Sequence, residues 1–273
     1  MHQYLFFIGD FPIRAYGLVL SLSIMLGTGV AYFLARQDGR WHEHIIDMGI
    51  YCGLAGILGA RLWDVFFFDW GYYHNHLSEI LNVWQGGMAI QGGLVFGAAA
   101  GIIYAIRHNI DVWALADIIC PGVILGQGLG RCANLLNGDA FGAPTGSSFG
   151  IVYPDTTLAF QTYGRQPLWP AEVWEGQLDF VIFALLLIYR VSVAHKRGQV
   201  FMLYIMLYSV ARFFLEYLRG DYNELVFGLF KSAQMTSVVS FSAAALIFIY
   251  LQYTGSYDSR ETEMCGDKSE NSD

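Results

Sequence analysis

The sequence predicts an all-α integral membrane protein, a polytopic bundle of about seven membrane-spanning helices. Hydrophobic residues make up 55% of the 273 residues and charged residues only 14%, whereas a soluble globular domain carries about 25% charged residues. Apolar runs of about 20 residues, the length that crosses a hydrocarbon core, recur between polar or proline-containing breaks. Seven such runs cover residues 13–35, 45–68, 88–106, 113–130, 171–189, 199–218 and 232–253.

The positions of lysine and arginine predict how these helices are oriented, because short segments rich in these residues stay in the cytoplasm. One predicted side of the bundle carries Arg36, Arg40, Arg107, Arg190, Lys196, Arg197, Arg260 and Lys268. The other side spreads fewer of them over much more sequence: Arg14, Arg165, Arg219 and Lys231. We therefore expect the N-terminus outside and the C-terminus in the cytoplasm.

The chain is expected to form one transmembrane domain over residues 1–253. Two segments, residues 69–87 and 131–170, are predicted to leave the membrane on the extracytoplasmic side, and the second has the glycines and prolines of an ordered cap. Residues 254–273 are polar and lack apolar periodicity, which predicts a disordered cytoplasmic tail. The N-terminus lacks a positive region and a cleavage site, so the first helix is expected to remain in place.

Composition and spacing argue against several classes of protein. A net charge of -8 is not a nucleic-acid-binding signature. The four cysteines show no Cys-x-x-Cys or Cys/His ligand spacing, so neither a disulfide framework nor a metal site is indicated. No internal repeat is apparent, which weighs against the inverted-repeat transporters. Glycines repeat every four residues over 93–101 and 122–130, which predicts closely packed helix backbones.

Three arginines lie within or at the ends of apolar runs: Arg61, Arg131 and Arg212. A charge there costs at least about 2.5–3.5 kcal/mol and needs compensation. One interpretation is that each arginine pairs with a nearby acid, respectively Asp64, Asp117 and Glu216. The other is that they hold an anionic lipid head group, because guanidinium forks match phosphate oxygens. We favour the second, since charges inside a membrane usually serve function.

Four polar residues at the end of the sixth run share one helical face: Tyr208, Arg212, Glu216 and Arg219. Their steps of four, four and three predict a stripe that faces the bundle interior. Glu172 and Glu175 lie in the first turn of the fifth helix, after Pro170. There they would either complement the helix dipole or take part in catalysis, and the sequence leaves both interpretations open.

The most informative segment gathers glycines, an arginine, two carboxamides and a carboxylate where a helix meets a loop. It reads Gly130-Arg131-Cys-Ala-Asn134-Leu-Leu-Asn137-Gly138-Asp139-Ala-Phe-Gly142. This resembles the signature of the prolipoprotein diacylglyceryl transferase family, Gly-Arg-x-Gly/Ala-Asn-Phe-x-Asn-x-Glu-x-x-Gly, with Leu135 in place of Phe and Asp139 in place of Glu. Other segments agree with that family: Arg14-Ala-Tyr16-Gly17, Gly59-Ala-Arg61, residues 84–93, Asp117, the stripe and Gln234.

The resemblance implies a transferase of the bacterial plasma membrane, the inner membrane where there are two, with its active site toward the extracytoplasmic face. Such an enzyme moves a diacylglyceryl group from phosphatidylglycerol to the thiol of the lipobox cysteine in a prolipoprotein signal peptide, and it releases glycerol phosphate. The expected partners are therefore phosphatidylglycerol, that signal peptide and membrane lipids. No metal and no organic cofactor is implied.

By the same resemblance, Arg131 and Arg212 are expected to stabilise the phosphate, with Asn134 and Asn137 orienting the head group. The base could be Asp139, Glu172, Glu175, or none if the arginines alone generate the thiolate. The remaining candidates for substrate contact or support are Tyr16, Arg61, Gln91, Asp117, Gly142, Tyr208, Glu216 and Arg219.

Three departures from the family keep other functions open. Gln91 stands where some members have a histidine that is assigned as the base, Trp169 stands where others have histidine, and Asp139 shortens a carboxylate arm. None of the seven histidines falls in the signature or in an apolar run. The alternatives are a paralogue with another acceptor and a lipid-binding or lipid-transporting bundle without chemistry.

Overall fold

The computed structural model describes residues 4–8, 11–82, 86–221, 225–226 and 230–257. Helices dominate these residues, and two short antiparallel hairpins accompany them. The helices are α1 (Ala15–Gln37), α2 (His42–Trp63), α3 (Trp70–Tyr73), α4 (Ile90–Arg107), α5 (Val112–Asn137), α6 (Leu158–Tyr163), α7 (Ala171–Ser192), α8 (Gln199–Leu215) and α9 (Ser232–Thr254). The hairpins pair β1 (Tyr4–Ile8) with β2 (Phe11–Arg14) and β3 (Leu225–Val226) with β4 (Phe230–Lys231).

The predicted helical membrane protein is confirmed, although the two hairpins were not predicted. Within the described residues, five helices are long and apolar enough to cross a membrane: α1, α2 with its π-helical continuation Asp64–Phe68, α4, α5 and α9. Helix α8 is apolar but has only 17 residues, and α7 carries buried Glu172, Glu175, Asp179 and Arg190. The count of seven spans and the orientation stay predictions. The predicted tail from residue 258 onward and Trp84 lie outside the described residues.

One compact unit covers Tyr32–Leu115, where α2 packs along α4. Glycines form this contact: a Cβ on Gly59 would lie 2.6 Å from the Gly92 carbonyl oxygen, and one on Gly93 would lie 3.4 Å from the Gly56 oxygen. Helix backbones approach this closely only where side chains are small. The close approach gives van der Waals packing, which holds helices together in lipid, where no hydrophobic effect acts between them. The close packing predicted from the glycines of residues 93–101 is confirmed.

Arg61, at the end of α2, is only 1% exposed and binds backbone of the following loop. Its guanidinium donates to the carbonyl oxygens of Glu79 (2.8 Å), Ile80 (2.8 Å), Gly86 (2.6 Å) and Gly87 (3.0 Å). Asp64 lies farther away, at 4.0 Å. Arg61 therefore holds the loop onto α2, and these loop carbonyls, rather than Asp64, are its main partners.

The other compact unit comprises Met1–Ala31 and Ala116–Asp273. Here α8 packs against both α7 and α9, and buried Cys120, Ile124, Ile182, Leu186 and Val200 form an apolar core. Helix α5 contacts α1 through a pair of glycines, because a Cβ on Gly27 would lie 2.5 Å from the Gly122 carbonyl oxygen. Pro121 lies inside α5, in a position that helices within membranes tolerate.

Residues 138–170, which we call the cap, connect α5 to α7. Gly138 has φ of +75° and ends α5 in the left-handed conformation that glycine favours. Beyond it, Phe141, Tyr153, Ala159 and Leu168 bury one another in a small core. The cap therefore has its own packed interior.

Backbone hydrogen bonds join the two ends of the cap to the segment after α8. The Gly142 N–H donates to the Trp169 carbonyl (3.1 Å), the Trp169 N–H to the Ala143 carbonyl (2.9 Å), and the Ala143 N–H to the Leu218 carbonyl (2.7 Å). Gly142 also forms an isolated β-bridge with Arg219. These bonds hold the end of α5, the start of α7 and the end of α8 together, which positions the site described next.

Candidate active site

The centre of the site is Glu175, a 2% exposed carboxylate one turn into α7. Arg131 of α5 donates to its Oε1 at 2.6 Å, and Arg219, after α8, donates to its Oε2 at 3.4 Å. Arg212 of α8 approaches Oε2 at 4.0 Å. The Tyr208 hydroxyl adds a hydrogen bond of 3.4 Å to Oε1. Three guanidiniums, one from α5 and two from α8 and the turn after it, thus converge on one buried carboxylate.

The acids that follow α8 partly neutralise this positive charge. Arg212 forms an ion pair with Glu216 at 2.7 Å, as the i, i+4 spacing predicted, and Arg219 pairs with Asp221. The Lys231 ammonium donates to the carbonyl oxygens of Arg219 (2.8 Å) and Glu216 (3.2 Å). Helix α8 ends at Leu215, so the predicted stripe continues into a turn. Its Tyr208, Arg212 and Arg219 side chains approach Glu175 of α7.

The end of α5 places the carboxamides of the signature beside Arg131. Arg131 donates to the Asn134 side-chain oxygen at 3.3 Å. The amide groups of Asn134 and Asn137 donate to the two Asp139 oxygens at 2.6 and 2.7 Å. Asp139 therefore orients both carboxamides. The shorter arm of Asp, compared with the family's Glu, still reaches both partners.

A second buried acid, Glu172, joins the site to the cap. The Tyr153 hydroxyl donates to Glu172 Oε1, while Glu172 Oε2 has no hydrogen-bond partner among the described residues. Burial, followed by the charge of Glu172, raises the pKa of Tyr153 above its ordinary value. Tyr153 therefore keeps its proton and acts as a donor.

Donors with access to a ligand are concentrated on two of the arginines. The side chains of Arg131 and Arg212 are 22% and 17% exposed, whereas that of Arg219 is 7% exposed. Arg212 Nη1 makes no hydrogen bond with any residue that the structure describes. Guanidinium forks of this kind bind phosphate and carboxylate oxygens in pairs. The arrangement can hold an anionic group between Arg131 and Arg212, while Arg219 braces Glu175.

Most of the residues predicted from the sequence meet at this place: Arg131, Asn134, Asn137, Asp139, Glu175, Tyr208, Arg212, Glu216 and Arg219. Gly142 lies directly behind them, paired with Arg219. Tyr16, in the first turn of α1, lies within electrostatic reach of Arg131 and Asp139. Of the remaining three predicted residues, Asp117 lies elsewhere in the same unit, and Arg61 and Gln91 belong to the other compact unit.

Asp117 does not pair with Arg131, as one interpretation of the sequence expected. Its carboxylate accepts the N–H groups of Gly198 (2.6 Å) and Phe201 (2.8 Å) and so caps the start of α8. Arg131 lies 14 residues farther along α5, which at 1.5 Å per residue separates the two by about 21 Å. The acid that meets Arg131 is Glu175, because the assembly of α5 with α7 decides the pairing.

Arg61 and Gln91 belong to the unit Tyr32–Leu115. Arg61 is occupied by loop carbonyls, as described above. Gln91 is exposed in the first turn of α4.

Four further residues of the site were missed in the sequence: Tyr153, Asp179, Asp221 and Lys231. Asp179 lies four residues after Glu175, and that spacing alone places it on the same helical face. Asp221 follows Arg219 at i+2, a spacing that carries no such signal. Tyr153 comes from the middle of the cap, where only the folded loop brings it to Glu172.

Fold and site together define a multi-pass membrane protein with a buried arginine–carboxylate cluster near the end of three helices. Comparison with known sequences agrees with this class. The model of the family described as prolipoprotein diacylglyceryl transferase matches residues 3–250. The chain belongs to the prolipoprotein diacylglyceryl transferase family.

Several curated relatives align with 90–91% of the chain, and each is named a phosphatidylglycerol–prolipoprotein diacylglyceryl transferase. One from Geobacillus kaustophilus is 35% identical over 251 residues, which is 91% of this chain and 92% of the relative. One from Staphylococcus epidermidis is 34% identical over 247 residues, 90% of this chain and 87% of the relative. One from Thermosynechococcus vestitus is 33% identical over 249 residues, 91% and 92% of the two chains.

Proposed function

We propose that this protein transfers a diacylglyceryl group from phosphatidylglycerol to a prolipoprotein. The observation that carries the proposal is the convergence of Arg131, Arg212 and Arg219 on Glu175, with the first two partly open. A cluster of this kind provides a fixed, positively charged surface for a phosphate. The names of the full-length relatives support both substrates.

The reaction breaks a carbon–oxygen bond, so negative charge grows on the phosphate that departs. Arg131 and Arg212 stabilise that charge through charge-assisted hydrogen bonds, each of which contributes about 1.5–3 kcal/mol. Glu175 holds the guanidiniums in place before the lipid binds, so little reorganisation is needed when the charge develops. Asn134 and Asn137, oriented by Asp139, contact the polar head group.

The acceptor is the thiol of the lipobox cysteine in the signal peptide of the prolipoprotein. A thiolate is the nucleophile, and a free thiol with pKa of about 8.5 is mostly protonated at neutral pH. The reaction therefore needs a group that receives the thiol proton, as well as one that stabilises the phosphate.

The site lies toward the extracytoplasmic face of a bacterial plasma membrane in this proposal, and the chain crosses the membrane seven times. The distribution of lysine and arginine supports this orientation. Helices α7 and α8 complete the seven, because their charged residues are buried against each other inside the protein rather than in lipid.

Release of glycerol phosphate tests the proposed function. The purified protein in phosphatidylglycerol liposomes is given a peptide with a lipobox cysteine, and the same peptide with serine serves as control. We expect release only with the cysteine peptide, together with a matching gain in peptide mass. Lipid binding without release would support a non-catalytic bundle, and release with a different acceptor alone would support a paralogue.

A further inference from the structure

Among the described residues of the unit that contains the site, five carboxyl side chains are buried: Asp117, Glu172, Glu175, Asp179 and Glu216. Four of them have fixed partners. Asp117 accepts two backbone N–H groups, and Glu172 accepts a tyrosine hydroxyl. Glu175 faces three arginines, and Glu216 pairs with one arginine. Asp179 is 1% exposed, and neither of its oxygens has a hydrogen-bond partner among the described residues. An unpaired buried carboxyl is costly and calls for a functional explanation.

Asp179 occupies the helical face of α7 that also carries Glu172 and Glu175. It lies four residues after Glu175, one turn farther from the cap. Arg131 of α5 lies close enough to interact with Asp179 electrostatically. The same is true of three residues of α8: Arg212, Tyr204 and Tyr208. Gly128 of α5 packs against its stem, because a Cβ on Gly128 would lie 3.1 Å from the Asp179 Cβ.

We infer that Asp179 is the group that receives the thiol proton, an inference that rests on the proposed function. The sulfur forms a bond to the glyceryl carbon, and the carbon–oxygen bond to the phosphate breaks with its electron pair leaving on the phosphate. The thiol proton moves to the Asp179 carboxylate. The proton then passes from Asp179 to water, because the departing glycerol phosphate, a phosphate monoester with a second pKa of about 6, is mostly ionised at neutral pH.

The surroundings of Asp179 suit this role better than those of the other candidate bases. Arg131 and Arg212 lie close enough to Asp179 to interact with it, and neither of its oxygens is committed to a hydrogen bond within the described residues. A carboxylate that no donor holds can accept a proton from a thiol placed beside it. Glu175 is committed to three arginines, Asp139 to two carboxamides, and Glu172 already accepts the Tyr153 hydroxyl. Gln91 cannot act as the base, and Asp179 of α7 therefore takes this role.

The test replaces Asp179 with asparagine, which keeps the size of the side chain but cannot accept the proton. We expect kcat/KM at pH 7 to fall by about 100-fold or more, the scale of general-base catalysis. Activity that remains should rise about tenfold per pH unit from pH 6 to 8, more steeply than in the wild type, because it depends on thiolate formed in water. Asp155→Asn, the same exchange at an exposed position of the cap, is the matched control.

A selenocysteine peptide separates proton transfer from a structural role. A selenol is already ionised at neutral pH, so Asp179→Asn should lose much less activity with this peptide than with the thiol peptide. Equal losses with both peptides, or activity within about threefold of wild type, would overturn the inference. A wild-type protein that releases no glycerol phosphate would overturn the proposed function instead, so the two failures are distinguishable.

Discussion

At the scale of single residues, Gly142 is one of the glycines that the structure leaves no room to replace. A Cβ at this position would collide with the Trp169 carbonyl oxygen and would lie 2.6 Å from the Trp169 Cβ. We expect Gly142→Ala to lower the free energy of unfolding by about 1–3 kcal/mol, the usual cost of overpacking. Activity should fall as well, because the β-bridge between Gly142 and Arg219 holds Arg219 in place.

Thermal unfolding and glycerol phosphate release measure the two effects. The control is Gly29→Ala in α1, where an added Cβ meets nothing within 4 Å. If Gly142→Ala unfolds and reacts like the wild type, the cap does not position the site.

The residues of the site were predictable where they are local in sequence. The Arg212–Glu216 pair follows from i, i+4 spacing, and the signature from Arg131 to Asp139 is one helix end. Contacts between segments were not predictable. Arg131 meets Glu175, 44 residues away, rather than Asp117, because the packing of α5 against α7 decides which acid is near. Arg61 looked like a ligand-binding arginine, but loop carbonyls satisfy it.

At the scale of elements, the hydrophobic pattern predicted the helices with small errors at their ends. Helix α5 runs to Asn137 rather than residue 130, because the polar signature continues the helix until Gly138 ends it. Helix α8 ends at Leu215 rather than residue 218. The hairpins were missed, since their strands are only two to five residues long and carry little periodicity.

Reporter fusions test the orientation of these helices. A reporter after His108, between α4 and α5, or after Arg197, between α7 and α8, should be cytoplasmic. One inserted within residues 143–166 of the cap should be extracytoplasmic, because the segments rich in lysine and arginine stay inside. Accessibility of single cysteines to an impermeant thiol reagent provides an independent check. A cytoplasmic cap would place the site on the wrong face of the membrane for the proposed reaction.

At the scale of the whole molecule, the site exists only when three segments come together. Arg131 comes from α5, Glu175 from α7, and Arg212 with Arg219 from α8 and the turn after it. No one of these segments could hold a phosphate alone. We therefore propose that this assembled cluster binds the phosphate through the planar forks of its two open arginines.

The most direct test of that claim is glycerol phosphate release by Arg131→Lys and Arg212→Lys, in liposomes and at matched expression and melting temperature. Lysine keeps the charge but loses paired hydrogen bonding. Loss of one charge-assisted bond, about 1.5–3 kcal/mol, corresponds to about a ten- to over a hundredfold loss in rate if the bond acts in the transition state. We expect that loss in both variants and none in Arg165→Lys, a change at an exposed arginine of the cap. Near-normal release from both Arg131→Lys and Arg212→Lys would contradict it.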